Sequence, residues 1–301
     1  MMAEHMFIFG AGYSGQALAQ RMLGNGWRVS GTSRSPAKRG MLSEMGLNAL
    51  IFDGGPDERI AEALAEATHL VLSIAPEHGM KDSQSAATSV DPVLDAFGAS
   101  LRSIAPKLEW IGYWSTVGVY GNFDGAWVDE SAECRPASRR ALMRVEAEAA
   151  WMALGQQLGR PVAIMRLGGI YGPGRNAFLK LADGSAKRIV KPGQVFSRIH
   201  VDDIAGTTML LAERRIGGVF NICDNEPAPP QDVIAFAAGV MGIDVPPDIP
   251  FDEAEMSPMA RSFYGDNKRV SNARIRELGY GFAYPDYRIA LERMWREDSW
   301  Q

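Results

Sequence analysis

The chain contains few residues of the kinds that build disulfide frameworks, metal centres or membrane spans. Its 301 residues include two cysteines, Cys134 and Cys223, and four histidines. Two isolated cysteines are too few for a disulfide framework or a cysteine-based zinc site, and the histidines show no ligand spacing. No apolar run approaches the roughly 20 residues needed to cross a bilayer, and no leader pattern precedes the first apolar segment. We therefore expect a cytoplasmic protein without a metal site or membrane partner.

Basic residues are not in excess either. Lys and Arg number 31 against 36 Asp and Glu, a formal net charge of −5, and the basic residues are spread along the chain. Nucleic-acid binding needs a concentrated basic surface that displaces counterions, so we expect no nucleic-acid partner. The chain is instead 46% hydrophobic and 22% charged. This balance is typical of a globular protein with a sizeable core.

The first half of the chain alternates short apolar segments with amphipathic ones. Strands are predicted at residues 6–9, 27–32, 48–52, 69–74, 108–114 and 162–167. Helices are predicted between them at residues 13–25, 37–45, 57–67, 90–104 and 138–157. Regular alternation of this kind predicts an α/β fold, a doubly wound parallel (Rossmann) sheet covered by helices on both faces.

Glycine and proline become frequent after Gly168. Helices are predicted there at residues 201–212, 231–241 and 271–278, with one more strand at 219–222. We interpret this part as a smaller C-terminal α/β lobe. The predicted organisation is a dinucleotide-binding Rossmann domain at 1–167 and a substrate-binding lobe at 168–301, partly interleaved with the first.

Gly10, Gly12 and Gly15 form a G-x-G-x-x-G pattern directly after the first strand. The first glycine permits a tight turn, the second lets backbone approach a pyrophosphate, and the third lets helix and strand pack closely. The following helix start offers N–H groups and the positive end of a dipole to phosphates. The pattern predicts dinucleotide binding, with Tyr13 and Ser14 as further contacts. The alternative is a glycine-rich turn without a ligand.

The second strand does not end in the acid that usually holds a ribose 2′-hydroxyl. Ser33 and Arg34 stand there instead, and guanidinium pairs bidentately with phosphate oxygens. They favour NADP over NAD, unless Arg34 is only a solvated loop arginine. Asp53, closing the third strand, is a candidate partner for the adenine amino group or else a turn aspartate. Ala75, after the fourth strand, is a further expected cofactor contact.

Four segments resemble, in order, signatures of the extended short-chain dehydrogenase/reductases. Ser115–Gly121 resembles the S-[ST]-x-x-V-Y-G signature of that family. Arg166–Arg175 resembles its R-x-x-x-[VI]-Y-G-P-G stretch, and Ile199–Ala205 its I-H-V-x-D-[IL]-A helix start. Val219–Ile222 resembles the strand before its C-terminal helices. The type resembled is the atypical branch that is similar to nucleotide-sugar epimerases and dehydratases.

The resemblance implies that Thr116 stands where the family has its catalytic hydroxyl, which hydrogen-bonds a substrate oxygen. The alternative is a strand-end threonine that bonds local backbone. The family's Y-x-x-x-K pair falls on Arg140 and Arg144, and no tyrosine lies between Tyr120 and Tyr171. Guanidinium does not release its proton near neutral pH, so Arg140 cannot replace the tyrosine. Arg144 remains a candidate cation for the cofactor, unless both arginines simply face solvent.

Substrate residues follow from the same resemblance. The arginine that grips the substrate diphosphate in nucleotide-sugar enzymes corresponds here to Phe196. Arg175 and Arg198 are therefore candidate replacements. His200 is a third candidate, with packing or helix capping as its alternative role.

Two classes of function remain open on this sequence. One is an NADP-dependent oxidoreductase or epimerase/dehydratase that acts on a small carbonyl or sugar-type substrate, with Tyr120 or Tyr171 supplying the hydroxyl. The other is a non-catalytic NADP(H)-binding sensor or scaffold, because the cofactor features are kept and the proton-transfer pair is lost. An ordinary sugar-nucleotide epimerase fits less well. The resemblance also implies a homodimer formed through the helices predicted at 90–104 and 138–157.

Overall fold

A seven-stranded parallel sheet dominates the computed structural model, which describes residues 4–76 and 91–301. Its strand order is β3-β2-β1-β4-β5-β7-β11. These strands are β1 His5–Phe9, β2 Arg28–Ser33, β3 Asn48–Ile51, β4 His69–Leu72, β5 Trp110–Thr116, β7 Val162–Leu167 and β11 Gly218–Ile222. The order is that of a doubly wound dinucleotide-binding sheet, extended by one strand. The predicted fold class is confirmed.

Helices connect the strands of this sheet. They are α1 Tyr13–Gly24, α2 Pro36–Glu44, α3 Glu58–Ala65, α4 Leu101–Ile104, α5 Arg139–Leu158 and α7 Val201–Glu213. Side-chain caps set several starts, because a cap satisfies an N–H that has no partner within the helix. Ser35, Asp57 and Ser138 accept such bonds at the starts of α2, α3 and α5. No helix in the described ranges is long and apolar enough to cross a membrane.

The prediction of one continuous helix over residues 90–104 is wrong. Val90 lies outside the described residues, and the rest forms a π-helical turn, Leu94–Gly98, followed by the short helix α4. Ala99 and Ser100 separate the two, and the Ser100 hydroxyl donates to the Phe97 carbonyl at 3.2 Å. A serine hydroxyl that competes for a helix carbonyl weakens the regular ladder, and Gly98 adds backbone freedom beside it.

The chain divides into two compact units that interleave along the sequence. The first comprises the described residues of Met1–Thr116, Ser138–Arg166 and Ala205–Val219. The second comprises Val117–Ala137, Leu167–Ile204 and Phe220–Gln301. The predicted boundary after residue 167 lies within one residue of one of the five points where the chain passes from one unit to the other.

The second unit is built from short elements. Its strands form three parallel pairs: β6 Trp127–Val128 with β13 Arg269–Val270, β8 Gly169–Tyr171 with β10 Arg198–His200, and β9 Arg188–Val190 with β12 Asp248–Pro250. Its helices are α6 Ala177–Ala182, α8 Pro230–Met241, α9 Pro258–Phe263, α10 Ala273–Glu277 and α11 Tyr287–Arg296. A 3₁₀ turn, Val117–Tyr120, begins this unit directly after β5.

Each unit has its own hydrophobic core. In the first unit, aromatic and aliphatic side chains from strands and helices are almost fully buried, among them Phe7, Phe9, Leu70, Ile111 and Trp151. In the second unit, the buried set includes Phe178, Ala237, Tyr287 and Leu291. Complete burial of one large apolar side chain contributes about 1.5–3 kcal/mol, so these clusters are the main source of stability in each unit.

A buried histidine lies at the start of β4 in the first unit. The His69 ring is fully buried, and its Nε2 donates to the Ala212 carbonyl of α7 at 3.1 Å. Its Nδ1 lies 2.9 Å from the Thr68 hydroxyl, and the Trp27 ring packs on it with centroids 4.8 Å apart. Burial lowers the pKa of His69 from 6.5 to about 4, although the Glu4 carboxylate acts in the opposite direction. The ring is therefore neutral at physiological pH.

Acid should destabilise the folded protein through this ring. Because the folded-state pKa lies below the unfolded value, the unfolded chain binds the proton more readily between pH 6.5 and pH 4. The contribution of His69 to the free energy of unfolding is therefore fully present above that range. It is lost as the pH drops through the range, by on the order of 3 kcal/mol. Denaturant unfolding of the wild type and of His69→Gln across this range measures the effect. An equal pH dependence in the two proteins would contradict the assignment.

Candidate cofactor-binding site and substrate residues

Two glycines of the turn between β1 and α1 are required by the packing of the protein itself. Gly10 has a φ of +87°, and a Cβ there would lie 2.8 Å from Ile74 Cγ1. A Cβ on Gly15 would lie 2.9 Å from the Gly10 carbonyl oxygen and 3.4 Å from Ile8 Cγ2. The separations of 2.8 Å and 2.9 Å are shorter than real Cβ contacts, so a side chain at either position would force its neighbours to move. Gly10 therefore permits the turn, and Gly15 permits the close approach of helix and strand.

Gly12 differs from both of them. It is exposed, its φ is −81°, and a Cβ there would have no protein atom within 4 Å. It is the N-cap of α1, and no side chain caps that helix start. Nothing in the packing explains why a side chain is missing here. The open space beside a helix N-terminus fits the pyrophosphate of a dinucleotide, next to Tyr13, which is half-buried, and Ser14, which is buried.

The turn is held in place by β2. The Ala11 N–H donates to the Thr32 carbonyl at 2.8 Å, and the Gly10 N–H donates to the Thr32 hydroxyl at 2.9 Å. Thr32 is followed by Ser33, the last residue of β2, whose hydroxyl accepts the Ser35 N–H at 3.2 Å. Arg34 is exposed in the next position. The two residues predicted to contact a 2′-phosphate thus follow directly on the residue that fixes the glycine turn.

Two basic residues that the sequence reasoning missed follow Arg34. Lys38 and Arg39 are exposed in the first turns of α2, and the Lys38 N–H donates to the Ser35 hydroxyl at 3.5 Å. Their signal was available in the sequence as a basic pair just after a serine N-cap. A helix N-terminus with added positive charge favours an anion.

The remaining predicted cofactor contacts lie at the ends of β3 and β4. Asp53 is exposed after β3, and its carboxylate accepts the Gly55 N–H at 3.3 Å. This bond is the turn role that the sequence left open beside adenine recognition. Ala75 is exposed in the segment after β4. Both contacts remain predictions.

Thr116 is the half-buried last residue of β5, and a buried network supports it from behind. The Ser115 hydroxyl donates to Glu148 Oε1 at 2.5 Å. Glu148 Oε2 accepts from Arg166 Nη2 at 2.7 Å and from Arg166 Nε at 3.2 Å. Ser115, Glu148 and Arg166 are each at most 6% exposed. The network therefore joins β5, α5 and β7 immediately beside Thr116.

Arg144 lies on α5 one turn before Glu148 and binds the end of β5. Its Nη1 donates to the Trp114 carbonyl at 2.7 Å and to the Tyr113 hydroxyl at 3.2 Å. Burial raises the pKa of Tyr113 well above its ordinary value, although the charge of Arg144 opposes the shift. Tyr113 is fully buried, so we interpret it as support for Arg144. Arg140, in the tyrosine position of the family motif, is exposed in the first turn of α5.

The other tyrosines considered for proton transfer lie in the second unit. Tyr120 is fully buried, and its hydroxyl donates to Asn221 Oδ1 at 2.7 Å. Asn221 in turn donates to the Ser271 carbonyl at 3.0 Å, so Tyr120 is part of an internal network. Tyr171 is 9% exposed, and burial holds the pKa of its hydroxyl well above the ordinary value. Neither arrangement favours proton exchange with a substrate.

The substrate candidates are also in the second unit. The His200 ring is fully buried, and its Nδ1 accepts the Asp202 N–H at 3.2 Å, at the start of α7. Burial lowers its pKa to about 3, and the ring stacks on Tyr284 with centroids 3.7 Å apart. These contacts match the packing and capping role. Arg198 is half-buried and its Nη1 donates to two backbone carbonyls, while Arg175 is exposed.

The glycine turn between β1 and α1, the strand order and the motif at the end of β5 agree with one family. The family model described as NAD dependent epimerase/dehydratase family matches residues 6–223. The chain belongs to the NAD-dependent epimerase/dehydratase family. Its solved structural neighbours include nucleotide-sugar epimerases and a dehydratase, with TM-scores of 0.73 to 0.76 at 15–16% identity. These likenesses show the shared fold.

Two of the sequence relatives carry names that state no activity. A functionally unknown conserved protein from Silicibacter pomeroyi DSS is 42% identical, covers 98% of this chain and 99% of its own, and has a TM-score of 0.86. Protein YeeZ of Escherichia coli is 26% identical and covers 93% of this chain and 96% of its own length. Human epimerase family protein SDR39U1, solved with NADPH, is 17% identical, covers 97% of this chain and 99% of its own, and has a TM-score of 0.70.

Candidate metal ligands were sought among the described residues of this epimerase/dehydratase family member. Residues 4–76 and 91–301 contain no group of three or more histidine, cysteine, aspartate or glutamate side chains able to hold an ion.

Gly12→Val should abolish NAD(P)H binding and leave the apo protein nearly as stable as the wild type. The new side chain would enter the space proposed for the pyrophosphate, while it meets no protein atom. We expect an affinity loss of at least about tenfold, or 1.4 kcal/mol. Gly24→Val is the matched control, because Gly24 lies at the other end of α1 and also borders open space. Cofactor-induced thermal shifts measure both, and a full shift in Gly12→Val would place the pyrophosphate elsewhere.

Proposed function

We propose that this protein is an NADP(H)-dependent oxidoreductase or epimerase/dehydratase that acts on a small carbonyl or sugar-type substrate. The observation that carries the proposal is the open space at Gly12, framed by two glycines that the protein needs for its own packing. The family supports a nicotinamide dinucleotide in general. The choice of NADP rests on Arg34 and Ser33, with Lys38 and Arg39 adding positive charge nearby.

The residues of the first unit suggest how a substrate would be held. The bound cofactor would supply hydride chemistry. Thr116 would donate a hydrogen bond to the substrate oxygen, and its backbone is fixed by the Ser115–Glu148–Arg166 network. Arg144 would present a fixed positive charge at the end of β5. Neither a threonine hydroxyl nor a guanidinium gives up its proton near neutral pH, so the proton for the oxygen would come from solvent.

Two arginines of the second unit are proposed to bind the substrate, and α5 of the first unit is proposed to form a dimer. Arg175 is exposed and Arg198 half-buried, so each has charge to offer an anionic substrate group. Arg198 already donates to the Phe196 and Ala228 carbonyls at 2.9 Å, which fixes its position. A homodimer through α5 is the expected assembly, and Leu142 and Met152 are exposed on that helix.

Wild-type protein should bind NADPH more tightly than NADH because of Arg34. A hydrogen bond to a charged group contributes about 1.5–3 kcal/mol, which corresponds to roughly 10- to 150-fold in affinity. Titration calorimetry with both cofactors measures the ratio. Arg34→Ala should bring the two affinities together and leave NADH binding unchanged.

The control for this experiment is a basic residue outside the site. Arg21→Ala, in the last turn of α1, should retain the NADPH preference. An NADH preference in the wild type, or a preference that survives Arg34→Ala, would refute the assignment of the 2′-phosphate contact.

A second function is an NADP(H)-binding sensor or scaffold without turnover. It is favoured because no tyrosine stands in the family's tyrosine position and the two tyrosines considered in its place are buried. Arg140 occupies the tyrosine position on α5 and is exposed. The Tyr120 hydroxyl is bonded to Asn221, and Tyr171 is shielded from solvent. General acid–base catalysis contributes about 10²–10⁴-fold, so reactions that need proton transfer would be slow in this chain.

Arg140→Tyr with Arg144→Lys would restore the family motif and separates the two functions. If the protein is an enzyme lacking a general acid, carbonyl-dependent oxidation of NADPH should rise by about 10²-fold or more. Absorbance at the NADPH band with a panel of aldehydes and ketones is the measurement. Unchanged inactivity with intact cofactor binding favours the sensor or scaffold.

Thr116→Ala is the companion variant. If the wild type turns over substrate, loss of this hydroxyl should lower kcat and leave NADPH affinity unchanged, because the proposed role of the hydroxyl is to bond the substrate and not the cofactor. Wild-type turnover that survives Thr116→Ala would refute the proposed role of Thr116.

A further inference from the structure

The first unit contains a cleft far from the phosphate turn. The cleft has a volume of about 690 Å³ and lies at the amino-terminal ends of β1, β2 and β3, beside α3. The turn proposed to bind the pyrophosphate follows the carboxyl end of β1, so it lies at the opposite end of the strands. Cavities of roughly 300–1,000 Å³ are the usual size of small-molecule sites. The cleft is therefore large enough for a ligand that is separate from a dinucleotide.

Polar side chains form the floor of this cleft, where a doubly wound sheet is normally apolar. His5 of β1 and Ser30 of β2 are 5% and 0% exposed, and His5 Nε2 lies 2.8 Å from the Ser30 hydroxyl. Asn48 of β3 donates its Nδ2–H to the same hydroxyl at 3.2 Å. These hydrogen-bonded side chains extend from the buried His5 to the cleft surface, because Asn48 is exposed and lines the cleft. Apolar packing is given up here for hydrogen-bonding groups.

Charges of opposite sign border the cleft on α3. Arg59 and Glu62 lie one helical turn apart and both line it. Neither side chain has an ion-pair or hydrogen-bond partner within residues 4–76 and 91–301. Glu66, the other acid of this wall, is already paired with Lys107 at 2.7 Å and with Arg28 at 3.8 Å. One cation and one anion therefore remain available.

The other wall is apolar. Trp27 is half-buried, and Leu23 and Leu50 also line the cleft. The Trp27 ring is held in position by its packing against His69, with centroids 4.8 Å apart. A rigid aromatic wall suits the apolar body of a ligand, because its contact surface costs little side-chain entropy.

We propose that this cleft binds a small zwitterion with an apolar body, the chemistry of a free apolar or aromatic amino acid. Arg59 pairs with the carboxylate, Glu62 with the ammonium group, and the apolar body lies against Trp27. The cleft does not depend on the proposed enzymatic function, because its residues lie at the amino-terminal ends of the strands, while the glycine turn lies at their carboxyl ends.

Calorimetric titration of the full-length protein with L-phenylalanine and L-leucine tests the proposal. We expect saturable binding with a Kd below about 1 mM for at least one of them. 2-Phenylethylamine lacks the carboxylate and 3-phenylpropionate lacks the ammonium group, so each should bind at least about tenfold more weakly than L-phenylalanine. No saturable binding of either amino acid up to about 10 mM, or equal binding of the singly charged analogues, overturns the proposal.

Three variants locate the binding. Arg59→Gln and Glu62→Gln should each weaken it at least about tenfold. Glu58→Gln, a neighbouring acid of α3 outside the lining set, should leave it unchanged. NADPH affinity, measured on the same samples, should be equal in all four proteins, which separates this site from the cofactor site. Amino-acid binding that is unchanged in both cleft variants refutes the location.

Discussion

The buried ion pair between Glu148 and Arg166 is the interaction on which the candidate site depends. It ties α5 to β7, and through Ser115 it also ties α5 to β5. Isolating either charge inside the protein would cost several kcal/mol, so the three elements keep one relative position. Thr116 follows Ser115 in the chain, and Arg144 precedes Glu148 by one helical turn. The pair thus sets where the two candidate groups stand without facing a substrate itself.

Most of the first unit was predictable from the sequence, because its elements are local patterns. Caps such as Ser35 and Asp57 and the fully apolar strand β1 carry their signal within a few residues. The interrupted helix near Ser100 was missed, since its amphipathic pattern outweighs one serine and one glycine. The two-residue strands β6 and β13 were missed too, because their pairing joins residues far apart in the chain.

The candidate site was predictable to different degrees. The sequence motif already assigned the three glycines different roles, and the structure adds which protein atoms a Cβ would meet at each, because those atoms are distant in sequence. The bond from Arg144 to Tyr113 could not be read from a pattern, since Tyr113 looks like any apolar strand residue. His200 was left open between two roles, and burial, which no short motif encodes, favours the structural one.

The interleaving of the two units has a consequence for how the chain is made. The last segment of the first unit is Ala205–Val219, and it comes after two of the three segments of the second unit. A ribosome must therefore release the chain as far as Val219 before the first unit holds all its segments, and partly folded domains expose apolar surface. Until that segment emerges, His69 has no Ala212 carbonyl to bond. The first unit therefore cannot complete its fold before much of the second unit has been synthesised, unlike a domain formed from one continuous segment.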